Sequence, residues 1–191
     1  MQEVEVKAKV RNKKTLLAAL VERGVVLTPP VEQYDRVYLP KDKTIPDLYI
    51  YPDYATLASR DIAVMRIRES GGEVLLTMKK PIKNQLDCIE HEVVVSNADE
   101  AEAILFACGF HEIIRFHKHR QKGKYGPYEI CVDEVTELGS FIEAEKLTDG
   151  MDSEAVQEEL FGFLAQFGIT HEDRVMFGYD TLTLKSKGII P

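Results

Sequence analysis

Apolar and polar residues alternate along residues 1–10, with Val4, Val6 and Ala8 on one parity and Glu3, Glu5 and Lys7 on the other. Successive side chains of a strand point to opposite faces, so this period predicts a strand with one apolar and one charged face. Asn12 then precedes Leu16, Leu17, Leu20 and Val21 at helical spacing, and Gly24 can end that helix. Thr28-Pro29-Pro30 interrupts the pattern, and a second strand is expected over 32–39. Residues 40–61 hold three prolines and no sustained period. They read as a long excursion with one short helix around 54–59, and excursions of that length are often functional. Strands over 62–69 and 73–80 flank Gly71-Gly72 as a hairpin, 81–87 reads as a polar connection, and 88–95 as another strand. Asn97 with Glu100 makes a capping-box pattern ahead of a helix through Ile104 and Leu105 that stops at Gly109. A second hairpin pairs 113–122 with 128–135 across 123–127, and a turn over 137–140 leads into a strand over 141–147. Asp152 or Ser153 caps a helix with Val156, Leu160, Phe163, Leu164 and Phe167 on one face, ended by Gly168. A short helix over 170–177 and a mostly polar tail complete the pattern.

In the strands after the first, the polar parity carries charge of one sign per strand. Arg66 and Arg68 flank Ile67; Thr77 and Lys79 alternate with Leu76 and Met78; Lys118, Arg120 and Lys122 share a parity. Glu90 and Glu92 flank His91, Glu129 and Asp133 share a parity with Cys131, and Glu143 and Glu145 flank Ala144. An acid-x-acid strand running through a turn into an amphipathic helix occurs three times, at Glu3/Glu5, Glu90/Glu92 and Glu143/Glu145. The helices supply enough apolar surface to cover the other face. A sheet with helices outside and charges inside should curl, and closure removes its edges. The expected fold is therefore α+β: a closed antiparallel barrel with a charged lumen and helices packed outside. So many charges cannot sit in a dry core. The lumen must be wet or filled by something charged in both senses, and a polyanion with bound divalent cations meets that need.

Composition narrows the partners. At 191 residues, 45% hydrophobic and 29% charged, the chain reads as one globular domain over 1–191, with a core at 1–147 and C-terminal helices at 152–178. A net charge of −8 argues against a nucleic-acid surface, so any anion site must be local. The sequence has no apolar run near the ~20 residues of a membrane helix and no signal-peptide pattern, so neither membrane nor export is expected. Cys88, Cys108 and Cys131 are odd in number and widely spaced, which reads as reduced thiols and a cytoplasmic protein. His117 and His119 alternate as half a zinc site would, but with no matching cluster they read as exposed edge residues.

The ordered set resembles a known family. Glu3-x-Glu5-x-Lys7 is similar to the signature of the CYTH superfamily, the triphosphate tunnel metalloenzymes. The match continues through Gln33-x-Asp35, Met65-Arg66-Ile67-Arg68, Leu76-Thr77-Met78-Lys79-Lys80-Pro81 and Glu90-x-Glu92. Lys118-x-Arg120, Asp133-Glu134-Val135 with Leu138-Gly139, and Phe141-Ile142-Glu143-Ala144-Glu145 complete it over residues 1–147. The resemblance implies a closed antiparallel tunnel of about eight strands. It implies a triphosphate held by Lys7, Arg66, Arg68, Lys79, Lys118 and Arg120. Glu3, Glu5, Asp133, Glu143 and Glu145 would hold one or two Mg²⁺ or Mn²⁺ ions, and Glu90 and Glu92 would orient the bases or assist a metal. Glu3, Glu5 and Lys7 are the expected catalytic set, and a homodimer is consistent with the resemblance.

The wording at Gln33-x-Asp35 and Asp133 to Gly139 is closest to the class IV adenylate cyclase-like branch, which implies conversion of ATP to cyclic AMP and pyrophosphate. That branch carries an aromatic two residues after the aspartate. This chain has Val37 there and Tyr38 one place later, and a one-residue shift flips the face. The alternatives are an inorganic tripolyphosphatase, or a nucleoside or thiamine triphosphatase, the last disfavoured because the chain has no tryptophan. A protein that binds a triphosphate or nucleotide without turning it over is the other class of reading, although anion binding alone gains nothing from added carboxylates.

Overall fold

The computed structural model describes residues 2–50, 56, 59–84, 87–149 and 152–191. In chain order the elements are β1 (Gln2–Lys9), α1 (Lys13–Glu22), β2 (Val31–Pro40), α2 (Ile45–Tyr49), β3 (Val64–Ser70), β4 (Glu73–Asn84) and β5 (Asp87–Val95). They continue with α3 (Ala98–Ala107), β6 (Phe110–Tyr125), β7 (Tyr128–Val135), β8 (Gly139–Thr148), α4 (Ser153–Ala165), β9 (Arg174–Val175) and α5 (Tyr179–Ser186). Every strand pairing given by register is antiparallel. The expected large antiparallel sheet with helices is present. It has nine strands among the described residues, and its hydrogen-bonded order ends at β5 and β9, so hydrogen bonds do not close it. No helix among the described residues is long and apolar enough to cross a membrane.

The chain divides into two compact units, residues 1–31 with 118–176, and residues 32–117 with 177–191. In the first, the second half of β6 is followed by β7, β8, β1 and β9. Val4, Val6 and Ala8 of β1, Ile130 and Val132 of β7, and Ile142 and Ala144 of β8 form one face. Leu16 and Leu20 of α1 and Val156, Leu160, Phe161, Phe163 and Leu164 of α4 cover it. Local chemistry fixes both helices: Asn12 accepts from Thr15 N at 3.1 Å, and Asp152 accepts from Glu154 N at 3.3 Å.

In the second unit the order is β5-β4-β3-β2 and then the first half of β6. Its outer face buries Tyr38 and Ile67 against Ala98, Ala101 and Leu105 of α3. Asn97 caps α3 by accepting from Asp99 N and Glu100 N. Tyr38 points into this cluster and donates its hydroxyl to Glu102 at 2.7 Å, as the one-residue offset predicts. The opposite face is charged over part of its length only. Val37, Leu39, Val64 and Ile114 lie on that parity and are buried with Leu48 and Tyr49 of α2 and Leu184 of α5.

Four local expectations need correction. The stretch 81–87 is not a polar connection: β4 continues past Pro81, which pairs with Cys88, and an irregular register between Pro81 and Asn84 accommodates the proline. The second hairpin is longer than expected, with Tyr125 opposite Tyr128 across Gly126-Pro127, and Gly126 takes a φ of +56° in that tight turn. Over 170–177 the chain makes only a 3₁₀ turn, His171–Asp173, before β9 pairs with β1. The tail is not irregular: α5 buries Tyr179, Thr181, Thr183 and Leu184. Two threonines on the buried face hide its helical period, and the Thr183 hydroxyl is satisfied by donating to Tyr179 O at 2.6 Å. The long excursion holds α2, which its sequence period does not announce; of the helix expected over 54–59, residues 56 and 59 are described and are helical, and the rest lies outside the described residues.

Candidate functional site

Each unit carries a charged face. In the first, the ladder sets Glu5 opposite Glu145 and Lys7 opposite Glu143 between β1 and β8. It sets Cys131 opposite Glu143 between β7 and β8, and Arg120 opposite Asp133 between β6 and β7. Directly opposed residues share a face, so the charged rungs of four strands meet there. Lys7 pairs with Glu5 at 3.2 Å and with Glu143 at 3.1 Å. Arg120 reaches Glu143 as well, and grips Asp133 through Nε at 2.8 Å and through its terminal nitrogen at 2.5 Å. Lys118 donates to the same Asp133 at 3.2 Å. The ions form one continuous chain: Glu5, Lys7, Glu143, Arg120, Asp133, Lys118.

Lys7, Lys118, Arg120, Asp133 and Glu143 are all buried. Burial raises the carboxyl pKa of Glu143, yet Arg120, Lys7 and Lys118 more than offset it and hold the group well below the ordinary 4.5. Asp133 is likewise held below 3.8 by Arg120 and Lys118 against the effect of burial. Burial lowers the pKa of Lys7, and Glu143 with Glu5 turns the balance upward from 10.5. All three remain ionised at neutral pH. Burial raises the Cys131 thiol well above 9.0, which leaves it protonated on this face.

Glu5, Glu143 and Glu145 present oxygens within 4.8 Å of one another. Lys7 offsets the repulsion between Glu5 and Glu143, and Glu145 adds a third negative charge that a further cation would balance. An all-oxygen donor set from two rigid strands suits a hard divalent ion such as Mg²⁺ or Mn²⁺. Asp133 is not in this convergent group; its carboxylate is occupied by Lys118 and Arg120. The side chain of Glu3 lies outside the described residues.

In the second unit, Arg68 grips the buried Asp35 through two parallel bonds of 2.6 and 2.8 Å. Arg66 lies 3.6 Å from Glu90 and 3.5 Å from Glu92, and donates to Thr77 at 3.1 Å. Its Nε is buried and bonds no group among the described residues. Burial and the neighbouring Arg68 both lower its pKa from 12.5, which marks a guanidinium that gains from an incoming anion. Lys79 pairs with Glu90 at 2.8 Å. Burial raises the Glu90 carboxyl pKa, but Lys79, Arg66 and Arg68 outweigh it and hold the group below the ordinary 4.5, so Glu90 stays ionised. Glu90 and Glu92 thus pair with bases on this face. The Gln33-x-Asp35 spacing is the signal that points to Asp35 as the counter-ion of Arg68; Thr77, a neutral residue among charged ones, gives no such signal. β6 is an inner strand, so His117 is not an edge residue; it is half-buried and stacks on Tyr34 with ring centroids 4.4 Å apart.

Comparison with known proteins agrees with this pattern. The CYTH domain family matches residues 1–179. A relative from Methanocaldococcus jannaschii named "Putative adenylate cyclase" is 26% identical over 182 residues, spanning 94% of this chain and 97% of that protein. Among solved structures, a "putative adenylate cyclase" from Vibrio parahaemolyticus has a TM-score of 0.77 at 22% identity, over 96% of this chain and 98% of that one. A "Putative adenylyl cyclase" from Hippeastrum, whose structure is described as revealing a dominant triphosphatase activity, has a TM-score of 0.58 at 15% identity. That alignment covers 98% of this chain and 96% of the other, and at these identities both structural likenesses speak to the fold alone.

Proposed function

We propose that this chain, which belongs to the CYTH domain family, is a divalent-metal-dependent enzyme acting on a triphosphate group, with ATP converted to cyclic AMP and pyrophosphate as its reaction. The observation that carries this reading is the charged face of the first unit. Glu5, Glu143 and Glu145 offer convergent oxygens beside the buried cations Lys7, Lys118 and Arg120. A binder of anions alone has no use for the carboxylates, and a binder of cations alone has no use for the buried bases.

Lys7, Lys118 and Arg120 are the phosphate-suited bases of the first unit, and Arg66, Arg68 and Lys79 are those of the second. Arginine suits phosphate because its planar fork binds two oxygens at once. Phosphoryl chemistry asks chiefly for alignment and charge neutralisation, which fixed cations on rigid strands supply. Glu5, Glu143 and Glu145, with Glu3 from the same strand parity, would hold the metal. When bound, a hard divalent ion supplies Lewis-acid polarisation of phosphate oxygens. Glu5 and Glu143 keep the Lys7 ammonium charged and oriented on the same face.

Hydrolysis of the triphosphate is the second reading, supported by the activity described for the Hippeastrum protein. One assay separates the two. The protein is incubated with Mg²⁺ or Mn²⁺ and, separately, ATP, tripolyphosphate and thiamine triphosphate, and the products are resolved by chromatography. Cyclic AMP with pyrophosphate is the expected result. Orthophosphate alone replaces the cyclase by the hydrolase, and absence of turnover with metal-dependent binding reduces the protein to a binder.

A further inference from the structure

Along its charged face, β2 of the second unit presents Gln33, Asp35, Val37 and Leu39 in turn. The bases lie at defined rungs of this row: Arg68 opposite Asp35, and Arg66 opposite Val37. The two ends of the row differ. Beyond Arg66, Val37, Leu39 and Val64 are buried under α2 and α5, and the Tyr49 hydroxyl of α2 donates to Asp180 of α5. That end of the face is filled by protein.

The other end is polar. Gln33 is 7% exposed, stands opposite Ser70, and donates from Nε2 to Ser70 Oγ at 3.2 Å. Its carbonyl Oε1 is buried and accepts from no group among the described residues. Buried acceptors are nearly always satisfied, and an unsatisfied one on a face of functional bases needs an explanation. A phosphate does not supply one, because ionised phosphate oxygens accept hydrogen bonds and have no proton to give.

A triphosphate lying on Arg66 and Arg68 has no room to extend past Val37. Whatever is attached to it therefore lies toward Gln33, about 7 Å from Asp35 along the strand. We infer that Gln33, held by Ser70, is a specificity-determining residue that accepts a hydrogen bond from an N–H or O–H group on the non-phosphate end of the substrate. A nucleoside carries such groups as ribose hydroxyls and exocyclic amines; inorganic tripolyphosphate carries none. The inference rests on the triphosphate reading above, and adds the direction in which the substrate lies and the residue that reads its far end.

The test compares wild type with Gln33→Leu, a change of similar size that removes the carbonyl. Binding is read as Mg²⁺-dependent thermal stabilisation titrated with ATP, 2′-deoxyATP, purine riboside triphosphate and tripolyphosphate. In the wild type, one of the two analogues should bind about tenfold more weakly than ATP, as loss of one hydrogen bond to a buried group requires. Gln33→Leu should weaken ATP by the same factor, bind that analogue and ATP alike, and leave tripolyphosphate unchanged. Equal weakening of ATP and tripolyphosphate would mean that Gln33 only supports the strand, and overturns the inference. So does a wild type that ranks ATP with both analogues. If tripolyphosphate and ATP both fail to stabilise the wild type, the triphosphate reading itself falls and carries this one with it.

Discussion

Lys7 and Glu143 face each other across the β1–β8 ladder and pair at 3.1 Å, each with 4% of its side chain exposed. Because the Glu143 pKa is held below 4.5 and that of Asp133 below 3.8, the unfolded chain takes up protons first on acidification. Their contribution to stability is complete above the unfolded values and is lost as pH falls through the folded ones. Lys7 behaves in the opposite sense: its contribution is complete below 10.5 and is lost as pH rises through its raised folded value. Urea unfolding in chelator-treated buffer should show a plateau from about pH 5 to 10 and a decline below about pH 4.5. Glu143→Gln should lower the plateau by about 3–5 kcal/mol, since it strands buried cations, and should flatten the acid limb.

Arg68 and Asp35 test the same physics in the other unit. Asp35 is 1% exposed, so Arg68→Met leaves a buried carboxylate without its bidentate partner. We expect a loss of about 3–5 kcal/mol in chemical denaturation. Adding Asp35→Leu should restore most of it, because both charges are then gone, while Mg²⁺-dependent stabilisation by tripolyphosphate stays weakened. A double variant no more stable than Arg68→Met alone would show that the cost lies in packing.

Gly123 sits on β6 where a Cβ would come within 2.9 Å of Leu27 Cδ2, 3.0 Å of Val25 Cγ1 and 3.0 Å of the Val26 carbonyl oxygen. The backbone oxygen cannot move aside as a side-chain tip can. Gly123→Ala should cost about 1–3 kcal/mol by overpacking. Thermal unfolding would register it as a drop of several degrees, and an unchanged midpoint would mean that the 25–27 segment yields freely.

The alternation of charge along β1, β6, β7 and β8 made the first unit's face legible, because a period of two assigns each residue a side without any tertiary information. Register then did the rest: once β1 lies against β8, Lys7 must meet Glu143. What the pattern could not supply was the covering of part of the second face. Val37, Leu39 and Val64 share a parity with Arg66, and only the packing of α2 and α5 reveals that this stretch is dry. The helix α5 was itself hidden by its buried threonines. A proline and polar residues over 81–87 suggest a connection, whereas an irregular register lets the β4–β5 pairing continue beyond Pro81. Buried acceptors without a partner, such as Gln33 Oε1, are invisible to periodicity, because only the structure shows which polar atoms are left unbonded among the described residues.

Glu145 offers the sharpest separation of metal binding from folding. It stands opposite Glu5 on the charged face, and its oxygen lies in the convergent group with those of Glu5 and Glu143. Unlike Glu143, it is only half-buried, and the chain of ion pairs from Glu5 to Lys118 runs without it. Without metal, Glu145→Gln removes repulsion from two neighbouring carboxylates and attraction to Lys122 while keeping an acceptor for the Cys131 thiol, so stability should stay within about 0.5 kcal/mol of wild type. With metal present the variant is destabilised, because a hard cation loses a charged oxygen ligand. Mn²⁺ titration followed by thermal unfolding or calorimetry should show affinity falling roughly tenfold or more. If Mn²⁺ binds the variant as tightly as the wild type, Glu145 is not a ligand, and the ion must be sought at a different set of carboxylates on the same face.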